Sequence, residues 1–136
     1  MSITLNHTIV PAHDKVVSAK FFANLLGLRY EGPMGPFAAV RINETLTLDF
    51  DDRREGFDMH HYAFHVSEEE FDAIFGRIKE AGLKYGSAPW TPEDMQVGNQ
   101  QSLSSSPAGY TEGATGGRIV YFREVNGHLL EIRTRA

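Results

Sequence analysis

Gly27-Leu28-Arg29-Tyr30 returns as Gly82-Leu83-Lys84-Tyr85, and this repetition constrains the fold more than any other feature of the chain. The two stretches are offset by 55 residues, and His7 and His61, each opening a strand-then-helix pattern, by 54. Leu48-Asp49-Phe50 matches Leu130-Glu131-Ile132 at an offset of 82. Three matches in the same order describe a duplicated unit. The larger last offset puts the extra residues of the second copy in the polar stretch from Pro89 to Gly117. Each half reads strand, helix, three strands.

Local patterns fill in the two copies. Residues 3–10 are rich in β-branched types and predict a strand. Asp14 is a candidate N-cap for a helix with Val17, Phe21 and Leu25 on one stripe, Phe22 and Leu26 beside it, and Gly27 as its stop. Short strands are expected at 28–31, 37–42 and 45–50, the last two linked through Asn43 and Glu44. The charged run 51–58 is a linker candidate. A strand over 59–66 precedes Ser67 and Glu70, a capping box that fixes the next helix start. Phe71, Ile74, Phe75 and Ile78 give that helix its stripe, and Gly82 closes it. A strand at 83–88 and a hairpin of 118–124 with 128–134 complete the second copy. The expected organisation is one domain over 1–136: module 1 at 1–52, linker 53–58, and module 2 at 59–136 with a lid loop at 89–117 that opens at little cost.

Composition narrows the function classes. There are 13 Lys and Arg against 18 Asp and Glu, a net charge of −5, so long-range attraction to nucleic acid or anionic lipid is not expected. The chain has no Cys, which removes disulfides, thiolate metal sites and a Cys nucleophile. No apolar run reaches membrane-spanning length. The opening MSITLNHTIV lacks the basic and apolar stretches of a secretory signal, and the expectation is a cytoplasmic protein.

The segments LNHTIV, FFANLLGL, HHYAFHV and YFREVNGHLLEI, spread over nearly the whole chain, resemble the vicinal oxygen chelate superfamily. That superfamily includes glyoxalase I, fosfomycin-resistance thiol transferases, extradiol dioxygenases and bleomycin-binding proteins. The resemblance implies an α+β fold of two βαβββ modules whose curved mixed sheets surround a cup-shaped metal site, in a frequent homodimer. It also implies His7, His61 and Glu131 as ligands of a divalent ion, Fe, Mn, Zn, Ni or Co. Where many relatives have Asp-Pro, this chain has Glu124-Val125. Two imidazoles and one carboxylate suit borderline ions and can leave coordination positions open.

Neighbouring residues carry alternatives. His61 and His65 share a strand face but stand roughly 13 Å apart at about 3.3 Å per residue, too far for one ion. His60 points to the other face. His65 is read as a polar substrate-binding or structural group, and His13 and His128 as helix-start and turn residues. Asp49, the repeat partner of Glu131, occupies a position that resembles a fourth carboxylate ligand in glyoxalase I. It could equally orient a ligand, act as a general base, or be an exposed edge-strand residue. Tyr121 resembles a site-facing tyrosine of extradiol and fosfomycin-resistance relatives, against a packed strand aromatic. Arg133 shares Glu131's face and would bind an anionic substrate group or pair with a carboxylate.

The hairpin register decides whether Tyr121 can face the site. A two-residue Asn126-Gly127 turn would turn Tyr121 away from Glu131. The Asn-Gly dipeptide alone favours that turn; the resemblance, in which Pro is frequent at the Val125 position, implies instead a three-residue loop, Val125-Asn126-Gly127 with a left-handed Gly, which places Tyr121 opposite Glu131, and this register is the one expected. The expected function is a metal-dependent enzyme acting on a small substrate that chelates through neighbouring oxygens, first a dioxygenase, then a glyoxalase-like lyase or isomerase. The alternative is a non-catalytic protein that sequesters a drug or metabolite.

Overall fold

In the computed structural model, residues 2–99 and 117–135 are described. They form two compact units: His60 and everything before it together with Glu124–Asn126, and His61–Arg123 together with the residues from Gly127 on. The chain therefore has the α+β architecture of two βαβββ modules, each with a four-stranded mixed sheet.

In the first unit the order is β1 (His7–Pro11), α1 (Lys15–Leu26), β2 (Arg29–Met34), β3 (Phe37–Arg41) and β4 (Thr47–Asp51). The sheet runs β1-β4-β3-β2, with β1 parallel to β4 and the remaining pairs antiparallel. Asp14 starts α1 by accepting from the backbone N–H of Val16 and Val17, and Gly27 ends it at φ 70°, a left-handed turn that favours glycine. The buried face of α1 is Ser18, Ala19, Phe22, Ala23, Leu25 and Leu26, so the helix is rotated from the expected stripe and leaves Val17 56% exposed. Small residues at 18, 19 and 23 let the backbone approach the sheet, where Phe22 meets Phe50 edge-on at 5.7 Å. Asn43 Oδ1 accepts from Thr45 N, Thr45 Oγ1 and Leu46 N, which makes the tight link before β4. β1 begins at His7 rather than at residue 3. Thr47 N–H donates to Asn6 O, and no strand of this sheet lies opposite residues 2–5, leaving Ile3 and Leu5 exposed.

The second unit repeats the plan with β5 (His61–His65), α2 (Glu68–Glu80), β6 (Tyr85–Gly86), β7 (Ile119–Arg123) and β8 (Leu129–Arg133), in the order β5-β8-β7-β6. The capping box of Ser67 and Glu70 is formed in both directions, at 2.8 and 3.1 Å. Phe71, Ile74 and Ile78 are the buried face of α2. The strand expected over 83–88 shrinks to two residues, because Gly86 passes against the backbone of Thr91 and Pro92 and the chain turns there. Met95 N–H returns to Tyr85 O at 2.8 Å, and Gly98 pairs in both directions with Ile119. The described start of the expected lid is thus fastened to the sheet. Residues 100–116 of it lie outside the described residues.

Candidate metal centre

The two sheets carry the same local arrangement. In the first, His7 on β1 lies opposite Thr47 of β4, and Asp49 follows two residues on. In the second, His61 on β5 lies opposite Leu129 of β8, and Glu131 follows two residues on. The strand alternation puts His and carboxylate on one face in each unit, away from the face that packs on the helix.

In the second unit the pair is formed. His61 Nε2 is 3.2 Å from Glu131 Oε1, and His61 Nδ1 is 3.0 Å from the carbonyl oxygen of Leu129. The carbonyl can only accept, so it fixes the proton on Nδ1 and aims Nε2 at the carboxylate. Glu131 is 4% exposed, and its other oxygen accepts from Arg133 Nη1 at 3.2 Å. Arg133 therefore holds Glu131 in place. Donation of the His61 Nε2–H to the Glu131 carboxylate raises the pKa of His61 above its ordinary value, burial opposes this, and the Leu129 carbonyl adds to it.

Tyr121 lies directly opposite Glu131, in the register of a three-residue loop, and Gly127 at φ 88° supplies the left-handed residue that loop requires. Tyr121 is 3% exposed and stacks on the His61 ring with centroids 6.2 Å apart at 19°. With Ala88, Ile119 and Leu129 it makes a buried apolar cluster beside the pair. His65 is exposed further along β5, with Nε2 3.3 Å from the carbonyl oxygen of Thr134. His128, expected as a turn residue, is fully buried and meets Tyr62 edge-on at 6.4 Å.

In the first unit the equivalent pair is not formed. His7 is exposed, with Nδ1 2.8 Å from Asn6 Oδ1. Asp49 is 5% exposed on a central strand, which excludes the edge-strand reading. Its Oδ1 is buried without a hydrogen-bond partner. A group that sequence reasoning missed is Asn126. Its Oδ1 accepts from His13 N–H at 2.8 Å, and its Nδ2 donates to Ser18 Oγ at 3.0 Å and Glu124 Oε2 at 2.8 Å. Among the described residues, no three His, Asp or Glu side chains gather closely enough to hold an ion by themselves. None of the described helices is long and apolar enough to cross a membrane.

No family model matches the sequence. Individual proteins do. Oxidase ChaP-H2 is 43% identical, covering all of this chain and 96% of its own, and superposes with a TM-score of 0.84. The chain belongs to the vicinal oxygen chelate superfamily. Oxidase ChaP-H1 is 38% identical over 99% of this chain and 98% of its own, with a TM-score of 0.82. Among curated vicinal oxygen chelate proteins, glutathione transferase FosA of Serratia marcescens is 28% identical over 135 residues, 95% of this chain and 79% of FosA. These superfamily relatives are named as enzymes, of more than one reaction type.

Proposed function

We propose that the protein is a metal-dependent enzyme that binds a divalent ion through His61 and Glu131 and oxidises a small substrate chelating through neighbouring oxygens, with dioxygen as the oxidant that is reduced. The observation that carries this reading is the convergence of His61 Nε2 and Glu131 Oε1 at 3.2 Å, each aimed from behind by a fixed partner. A neutral imidazole nitrogen and a carboxylate oxygen are a donor set that a borderline divalent ion accepts. His7 is proposed as the third ligand on the family resemblance alone. The oxidative reaction is favoured over a lyase by the 43% identity to a protein named as an oxidase. The same reading includes a homodimer, since each sheet ends in edge strands that another chain can cover.

The surrounding residues divide the work. Leu129 O holds the Nδ1 proton, which leaves Nε2, on the Glu131 side, as the ring nitrogen that would meet an ion once it gives up its own proton. Arg133 restrains one oxygen of Glu131 and leaves the other toward His61. Tyr121 is proposed to present its hydroxyl to a substrate oxygen, while its ring, with Ile119 and Ala88, keeps water from the back of the site. A bound ion would supply Lewis acidity and an open position for substrate oxygens.

The test is metal content of protein purified without chelator or affinity metal, then calorimetric titration with Mn²⁺ and Fe²⁺ under nitrogen. One ion per chain is expected. His61→Ala and Glu131→Ala should each weaken binding by at least about a hundredfold, the scale of losing one of three ligands. Wild-type protein that takes up no divalent ion at micromolar levels would overturn the reading, and sequestration would replace it.

A further inference from the structure

Of the five asparagines in the chain, Asn126 alone is followed by glycine; the others precede His7, Leu25, Glu44 and Gln100. An asparagine carboxamide is open to attack by the backbone nitrogen of the next residue, and glycine, which has no side chain, hinders that attack least. The attack needs rotation about the Cα–C and Cα–Cβ bonds of the asparagine, so that the nitrogen can reach Cγ. A free Asn-Gly pair is therefore chemically labile, and a held one is not.

The structure restrains the groups that would have to turn. Asn126 Oδ1 accepts from His13 N–H at 2.8 Å, and Nδ2 donates to Ser18 Oγ at 3.0 Å and to Glu124 Oε2 at 2.8 Å. On the main chain, Asn126 N–H donates to Glu124 Oε1 at 2.7 Å, and the Gly127 carbonyl accepts from Arg123 Nη1 at 3.1 Å. Glu124 and Ser18 are buried, so water does not replace them while the contacts stand. Such bonds are modest singly and strong when they must break together.

We propose that Asn126-Gly127 is a self-modification site guarded by the fold: it deamidates when its contacts to His13, Ser18 and Glu124 open locally, and the product then opposes their reclosing. In the open form Gly127 N bonds to Asn126 Cγ, the Cγ–Nδ2 bond breaks, and the Gly127 N proton leaves with Nδ2 as ammonia. Water opens the resulting imide at either carbonyl and leaves an aspartyl or isoaspartyl residue at 126. Water is the sole co-reactant. The aspartyl carboxylate has no hydrogen to give Glu124 Oε2 and sets a like charge against it. The isoaspartyl form lengthens the main chain by a methylene in a loop whose length sets the β7–β8 register. Each opening thus carries a chance of becoming permanent, whether or not a metal is bound.

The test incubates the full-length protein at neutral pH, folded in buffer and unfolded in urea, and follows residue 126 by anion exchange and peptide mass spectrometry. The folded chain should react at least about tenfold more slowly than the unfolded one, as expected when reaction passes through a minor open form. Ser18→Ala removes one restraint and should speed the folded-state reaction about threefold or more. If that variant fails to fold, Glu124→Gln, which leaves one oxygen for two donors, carries the same expectation. Ser67→Ala, which weakens the α2 cap in the second unit, should stay within about twofold of wild type, because the opening is local. Asn126→Asp, which carries the aspartyl product, should show a lower urea midpoint than wild type. No reaction in the unfolded chain, equal folded and unfolded rates, equal acceleration by Ser67→Ala and Ser18→Ala, or an unchanged midpoint in Asn126→Asp would each overturn the proposal.

Discussion

Asn126→Ala removes three hydrogen bonds at once, and their environments set its cost. The bond to Glu124 ends on a carboxylate in a residue 5% exposed, and the bond to Ser18 on a hydroxyl in a residue 1% exposed. Each leaves a buried polar atom short of a partner, about 1.5–3 kcal/mol for the charged acceptor and about 1 kcal/mol for the hydroxyl. His13 N–H belongs to an exposed residue and can turn to water, so its loss contributes about 0.5 kcal/mol. The backbone bond from Asn126 N to Glu124 Oε1 at 2.7 Å survives the substitution. The sum is roughly 3–4.5 kcal/mol, a large share of the 5–15 kcal/mol that holds an ordinary domain folded. With a urea slope of about 1–3 kcal/mol per molar, the midpoint should fall by more than about 1 M in equilibrium unfolding followed by circular dichroism. Val125→Ala, at a side chain 49% exposed, is the control and should stay within about 0.5 kcal/mol. A loss below about 1 kcal/mol for Asn126→Ala would refute the reasoning, since it would mean that Glu124 and Ser18 find other partners at no cost.

Gly86→Ala would drive a methyl group into the backbone of Thr91 and Pro92, which cannot yield as a side chain can, so a loss of about 3 kcal/mol or more is expected by thermal melting. The Asp51 carboxyl is held at about 2, below its ordinary 3.8, chiefly by the Arg53 guanidinium and then by the Arg53 backbone N–H, against the effect of burial. Its contribution to stability is complete above its unfolded value and is lost as pH falls from about 4 to about 2. Acid titration of stability should therefore show a step that Asp51→Asn abolishes. Ser67→Ala removes the helix cap and should cost about 1 kcal/mol in denaturant unfolding. The homodimer requires twice the 15.2 kDa chain mass in light scattering, and a single-chain mass across a wide concentration range would exclude it.

The parts of the fold that were legible in the sequence are those fixed by short-range chemistry. Asp14, Gly27, Ser67 and Glu70 mark helix ends because each satisfies backbone groups within four residues. The hairpin register was legible only through the family resemblance, since the local Asn126-Gly127 signal favours the two-residue turn while the formed loop places Tyr121 opposite Glu131. What depended on packing was less legible. The buried side of α1 runs through Ser18 and Ala19 rather than Val17, a choice made by how close the helix lies to its sheet. The lack of a partner at Asp49 Oδ1 is also a packing outcome, since the sequence shows only a carboxylate at a repeat position. Asn126 reads in the sequence as half of an Asn-Gly turn. Nothing local announces that its side chain reaches a helix start more than a hundred residues earlier.

That reach bears on how the chain can be made and divided. Residues Glu124–Asn126 complete the first unit although more than sixty residues of the second intervene. During synthesis, the α1 start must wait, with Ser18 and the His13 amide unsatisfied by Asn126, until the last hairpin has left the ribosome. Closing so long a loop is slow relative to forming either helix. A cut in the 53–58 segment would therefore give fragments that need each other, and the duplicated module would not fold as an independent half.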